Sequence, residues 1–211
     1  MGALEGSLSY RQYFVDGELN DHDALLERIR HHSFSSLNLE DEEPKWGWVC
    51  AANPLDVDFR RDNVFFNQYV VLALRQDRWR LPAALLKARV NDARLKLMAS
   101  SGKERLARHE RDAIMEEQKR QLKEKSLPAM SVVDMAWDTA GKSVRFWTHN
   151  NAMNELFQEL FEETFQLHLV PLSPYTMAAN GLLEDEALEA LFELDPDDLS
   201  KVVFDNADAP G

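Results

Sequence analysis

The chain has 211 residues, of which 45% are apolar, with eight glycines, eight prolines and a formal charge of −13 from 24 Lys and Arg against 37 Asp and Glu. That length holds one domain of ordinary size, or one with an appendage, and the apolar share supports a packed interior and excludes wholesale disorder. Apolar runs such as Val70 to Leu74 extend over only five or six residues, far short of the roughly 18 that a bilayer crossing needs, so no membrane partner is expected.

The N-terminus opens Met1-Gly2-Ala3 without a basic region, and Gly6 stands where a myristoylation signal has Ser or Thr, which argues against secretion and lipidation. Leu8 to Val15 alternates apolar and polar residues around Tyr10, Tyr13 and Phe14, the composition of a strand. Asn20 or Asp21 caps a short helix with Leu25, Leu26 and Ile29 as its buried stripe, ending near His31 and His32. Pro44 to Ala51 reads as a Trp-rich strand. Its Cys50 is the single cysteine of the chain, which leaves no internal disulfide and suits a reducing cytoplasm. After a polar excursion through Asp56-Val57-Asp58, Tyr69 to Leu74 reads as a buried strand, with Arg78-Trp79-Arg80 starting its hairpin partner. The first third is therefore β-α-β-β.

At Pro82, an N1 residue, the period changes. Leu86, Val90, Ala93 and Leu97 form one apolar stripe on a helix running to about Met98. Ser100-Ser101-Gly102 interrupts it, and a second helix spans about Lys103 to Lys125 with only a sparse apolar face, so it projects into solvent or lines a surface. Beyond Leu127-Pro128, Val132 to Trp137 and Val144 to Trp147 read as strands joined by a turn in which Gly141 is available for a positive φ. Asn150 or Asn151 caps a helix with Met153, Leu156, Phe157, Leu160, Phe161 and Phe165 on one face, and Leu167 to Val170 follows as a strand. The expected class is α+β: two small β-sheet and helix units, β-α-β-β and β-β-α-β, flanking a helical insertion at 82–126. Residues 1–175 make up this region, and 176–211 form an acidic, partly helical tail.

Signatures of cofactor or metal chemistry are not found. Ser101-Gly102-Lys103 lacks the upstream glycine of a phosphate loop, the six histidines have no HxxxH or HExxH spacing, and no Gly-x-Ser-x-Gly elbow occurs, so no catalytic residue, cofactor or metal is expected. Paired acids such as Asp56/Asp58 and Asp134/Asp138 leave a metal-dependent exonuclease as an alternative.

Charge is unevenly distributed. Residues 75–125 hold 15 Lys and Arg against 8 acids, a net of +7, which leaves −20 for the remainder, and the last 30 residues carry ten acids against Lys201 alone. On a helical wheel Lys87 and Arg94 lie on one flank of the apolar stripe and Arg89 and Lys96 on the other, with Lys103, Arg105, Arg108 and Arg111 following. Such rows track a phosphate backbone, or else they are Lys and Arg stems covering the edge of an apolar stripe.

Several stretches occur in an order that resembles the recombination-associated RdgC proteins of bacteria. They are Trp46-Gly47-Trp48-Val49, Tyr69-Val-Val-Leu-Ala-Leu-Arg75, Leu81-Pro82 opening a basic helical region, Leu127-Pro128 with Met135-Ala-Trp137-Asp138-Thr-Ala-Gly141, and Leu169-Val170-Pro171-Leu172-Ser173. The resemblance covers roughly residues 8 to 175. It implies a cytoplasmic, nucleoid-associated, non-enzymatic protein that binds duplex DNA without sequence preference, forms a homodimer and antagonises RecA-type recombination. Longer members place Arg and Phe shortly after the second Leu-Pro, where this chain has Ala129 and Met130, so no residue of that segment is carried over. The remaining class is an acidic protein-interaction module that does not bind DNA.

Overall fold

A computed structural model describes residues 9–17, 22–173 and Thr176. The elements in order are β1 (Arg11–Asp16), α1 (His22–His31), β2 (Lys45–Val49), α2 (Arg61–Val64), β3 (Phe65–Phe66), β4 (Tyr69–Arg78), α3 (Ala83–Ser101), α4 (Arg108–Lys123), β5 (Ala129–Asp138), β6 (Ser143–Phe146), α5 (Asn151–Phe165) and β7 (His168–Pro171). The class is α+β, and the short α2 and β3 are additions to the expected order. The expected caps Asn20 and Asp21 lie outside the described residues, as does the acidic segment 176–211 apart from Thr176. The chain divides into two compact units, 1–169 and 170–211. In the second, the Thr176 hydroxyl donates to the Pro171 carbonyl at 2.9 Å and accepts from the Ser173 N–H at 2.7 Å.

The two expected sheets are one. The described strands form a single seven-stranded sheet in the order β2-β4-β5-β6-β1, with β3 against β4 and β7 beyond β1. The join is an antiparallel ladder between β4 and β5, from Tyr69 opposite Asp138 to Arg78 opposite Ala129. Arg78 therefore ends β4 itself, and the hairpin partner expected at Arg78-Trp79-Arg80 is not formed. The helical insertion is the long connection between these neighbouring strands, so its ends meet at one edge of the ladder.

Alternation then sorts side chains between faces. Val70, Leu72 and Leu74 of β4 share the main core with Val133, Met135 and Trp137 of β5, Val144 and Phe146 of β6, and Trp48 of β2. The expected stripes of α1 and α5 cover this face, with Leu25, Leu26 and Ile29 buried beside Phe157, Phe161 and Phe165. Phe157 stacks on Phe146 at 4.0 Å between centroids and meets Trp48 edge-on at 6.2 Å. Burial of these aromatic and aliphatic side chains is the dominant stabilising term, on the order of 2 kcal/mol each. Two of the polar groups buried with them are paired, the Trp48 Nε1–H donating to Thr164 Oγ1 at 2.8 Å and the Tyr13 hydroxyl to Asn154 Oδ1 at 2.6 Å, whereas Trp137 Nε1 is buried without a hydrogen bond. Burial also raises the Tyr13 phenol above its ordinary pKa.

Phe34, Val49 and Ala73 form a smaller cluster on the opposite face. Here Arg75 lies 4.1 Å over the Phe34 ring and makes a two-pronged ion pair with Asp77, at 2.9 and 2.6 Å, that satisfies the buried carboxylate. Gly47 has a steric reason. A Cβ there would stand 2.5 Å from the Phe34 nitrogen, because residues 32–34 cross β2 closely and bond to it, Trp48 N–H to the His32 carbonyl at 3.0 Å and Phe34 N–H to the Trp48 carbonyl at 2.9 Å. That segment covers the edge of β2.

In the turn between β5 and β6 the positive φ falls on Lys142 (46°), not on Gly141. Gly141 instead gives its N–H to Asp138 Oδ1 at 2.9 Å, and a Cβ on it would press on that carboxylate.

Candidate nucleic-acid interface

The helical insertion is built as expected in its first half. Pro82 precedes α3 as its N-cap instead of occupying N1. Val90 is buried, with Leu86, Ala93 and Leu97 half-buried, so the 86/90/93/97 stripe is the packed side of the helix. Gly102, at φ 65°, ends α3 in a left-handed cap. The second helix starts later than expected, at Arg108. Lys103 and Arg105 therefore belong to the connecting segment, where the Glu110 carboxylate reaches back to the Ala107 N–H at 2.8 Å and to Lys103 at 2.5 Å. Those two donors, Lys103 first, hold the Glu110 carboxyl below the usual carboxylate range.

α4 packs against α3. Its C-terminal end is fastened by Lys123, a buried cation that donates to the Leu39 and Asp41 carbonyls at 2.8 and 2.9 Å and lies over the Trp79 ring. From its sparse apolar face this helix is expected to project into solvent or line a surface. The anchoring was hidden because it uses backbone carbonyls of a loop more than 80 residues away, which periodicity does not register.

The eight expected DNA-binding residues all sit on this helical pair and its connection, but their environments divide them. Lys96 pairs with Asp92 at 2.7 Å, Lys103 with Glu110, and Arg108 with Asp112 at 3.8 Å. Lys87, Arg105 and Arg111 are exposed, and Arg89 and Arg94 are half-buried along the stripe. Among the described residues these five have no acidic partner, and Arg94 Nε is buried without a hydrogen bond. The remaining α4 cations are neutralised locally, Lys119 by Glu116 at 2.8 Å and Glu42 at 3.4 Å, and Arg120 by Glu117 at 2.9 Å and by Glu124. The positive field thus concentrates on α3 and the connection, leaving the C-terminal half of α4 near neutral.

Three of the four acids considered for a nuclease are occupied by local structure. Asp56 accepts from the Asp58 N–H at 2.8 Å, Asp58 pairs with Arg60 at 2.8 Å, and Asp138 closes the β5–β6 turn. Among the described residues no three His, Cys, Asp or Glu side chains converge as a metal site, and no helix is long and apolar enough to cross a membrane.

Sequence reading missed Arg78 and Arg80 as candidates. The available signal was their spacing on either side of Trp79, at the end of a strand pattern, and both line one cleft. Comparison with models of known protein families finds no match to this chain, and comparison with curated proteins finds none either.

Proposed function

We propose that the protein is a non-enzymatic, sequence-independent DNA-binding protein that acts in recombination or replication, associates with the nucleoid as a homodimer and opposes RecA-type recombination. The recombination role, the dimer and the location rest on the resemblance to the RdgC proteins. The physical support is one observation: in a chain of net charge −13, the cations of α3 and its connection are largely without acidic partners. Unpaired cations on a surface helix attract phosphates and release condensed counterions on contact, and phosphates carry no base identity.

The two flanks of α3 supply the test. On one flank Lys87 and Arg94 have no acidic partner among the described residues. On the other, Lys96 is paired, and Asp92 remains beside any phosphate that Lys96 contacts. The slope of log affinity against log salt on duplex DNA is about 0.9 per phosphate contact. Replacing Lys87→Gln with Arg94→Gln is expected to reduce the slope by up to about 1.8, and Arg89→Gln with Lys96→Gln by no more than about 0.9. The loss should be the same on every duplex sequence, and the mass of the complex in solution reads the dimer. If neither pair changes affinity or slope while both variants stay folded, the rows are a solvated helix face and the DNA reading is wrong.

A further inference from the structure

A second cationic site lies on the α5 side of the sheet. The ends of β4 and β5 and the first turn of α5 enclose a cleft of about 320 Å³, at the small end of the range for ligand sites. Gln76, Arg78 and Arg80 line it from β4 and the chain just beyond, Ser131 from β5, and Asn150 and Met153 from the N-cap and first turn of α5. No carboxylate lines it, in a molecule where acids outnumber bases by 13.

The contrast with the α4 surface is chemical. There each Lys and Arg that lines the cavity beside Leu39 faces glutamates or backbone carbonyls that satisfy it. In the cleft, Arg78 and Arg80 are exposed and their guanidiniums have no acidic or hydrogen-bonding partner among the described residues. Two guanidiniums on one wall without a counter-charge form a fork suited to a phosphate. The opposite wall is the start of α5, where the Asn150 side chain takes the Met153 N–H and the helix dipole adds positive potential.

An aromatic face lies beside the fork. Gln76 is the cross-strand partner of Trp46 on the edge strand β2, and alternation places Trp46 on the same face as the buried Trp48. Trp46 is nevertheless 42% exposed. An exposed indole one strand from a phosphate fork is the pairing of stacking surface and cation that unpaired nucleotides use.

We propose that this cleft binds the phosphate of an unpaired nucleotide through Arg78 and Arg80, with its base stacked on Trp46. It is separate from the α3 rows, and the nucleotide comes either from a single strand or from the free pool. The inference deepens the DNA reading without depending on α3.

The experiment uses the full chain and three probes: inorganic phosphate, deoxyadenosine 5′-monophosphate and a labelled single-stranded oligonucleotide. Saturable binding of the nucleotide is expected, weakened roughly ten- to a hundredfold by Arg78→Gln with Arg80→Gln, for all three probes alike. Trp46→Ala should weaken the nucleotide and the oligonucleotide about tenfold and leave phosphate unchanged. Tighter binding of the oligonucleotide than of the mononucleotide identifies a strand as the source, and the reverse order identifies the free pool. The variant carrying Lys87→Gln and Arg94→Gln should bind the mononucleotide as the unmodified protein does. Loss of duplex binding in that variant alone bears on the α3 reading, whereas no saturable nucleotide binding, or binding unchanged by Arg78→Gln with Arg80→Gln in a protein of unaltered melting temperature, overturns the cleft.

Discussion

Cys50 illustrates how burial sets the chemistry of one residue. It closes the main core at the end of β2, its sulfur accepts from the Asn63 amide at 3.4 Å, and only 2% of it is exposed. Desolvation, assisted by the nearby Asp56, pushes its thiol from an ordinary value of 9 up to about 11. The thiolate is the nucleophile, so native protein at pH 8 is expected to react with iodoacetamide about a hundredfold more slowly than the unfolded chain. Equal rates would mean that the native thiol is accessible and unshifted. The sign of the linkage follows from the same shift. Below pH 9 both states hold the proton, and as pH rises towards 11 the unfolded thiol ionises first, so stability should fall across that window, with Tyr13 adding to the fall in the same direction. The sequence shows Cys50 as the single cysteine, directly after Trp48 and Val49 in a Trp-rich strand, a setting in keeping with its burial. It did not reveal why position 47 is glycine, since the close approach of Phe34 comes from a loop whose path is set by tertiary packing.

Helices and strands show which regularities are local. The stripes of α1, α3 and α5 were legible because a 3.6-residue period records which side of a helix meets apolar neighbours, and the Asn150 cap was legible because its side chain bonds within its own turn. The start of α4 was not legible, because Lys103 and Arg105 are good helix formers and only the return of Glu110 to the Ala107 N–H marks where the helix begins. Gly102 is the clearest element-scale test. Its φ of 65° is left-handed and nothing stands within 4 Å of where a Cβ would be, so Gly102→Ala carries conformational strain without steric crowding. It is expected to lower stability by about 1 kcal/mol in urea unfolding, and Gly102→Asn by less, since Asn tolerates that region. Equal losses from the two would assign the effect to the missing glycine's flexibility and not to the cap.

At the scale of the whole molecule the controlling quantity is the separation of charge. The 30 residues from Leu182 carry a net of −9, and residues 75–125 a net of +7. If the acidic segment competes with DNA for the basic cations, deleting residues 182–211 should raise duplex affinity most at low salt, where screening is weakest. Affinity unchanged at every salt concentration would leave that segment a solubilising one.

The sequence by itself determined the helix and strand identity of most elements, their apolar faces and the α+β class. Each of these is recorded in side-chain periodicities and caps spanning a few residues. Only the tertiary structure decided that the two strand groups form one sheet, because the β4–β5 ladder joins backbone groups separated by the entire helical insertion, and hydrogen bonding between main chains leaves almost no mark on side-chain choice. The same holds for the candidate sites. Composition located the basic residues, but whether each cation is free or neutralised depends on which carboxylate or carbonyl folding brings to it, as Glu110 is brought to Lys103 and Leu39 to Lys123, while Arg78 and Arg80 are left facing a cleft without an acid.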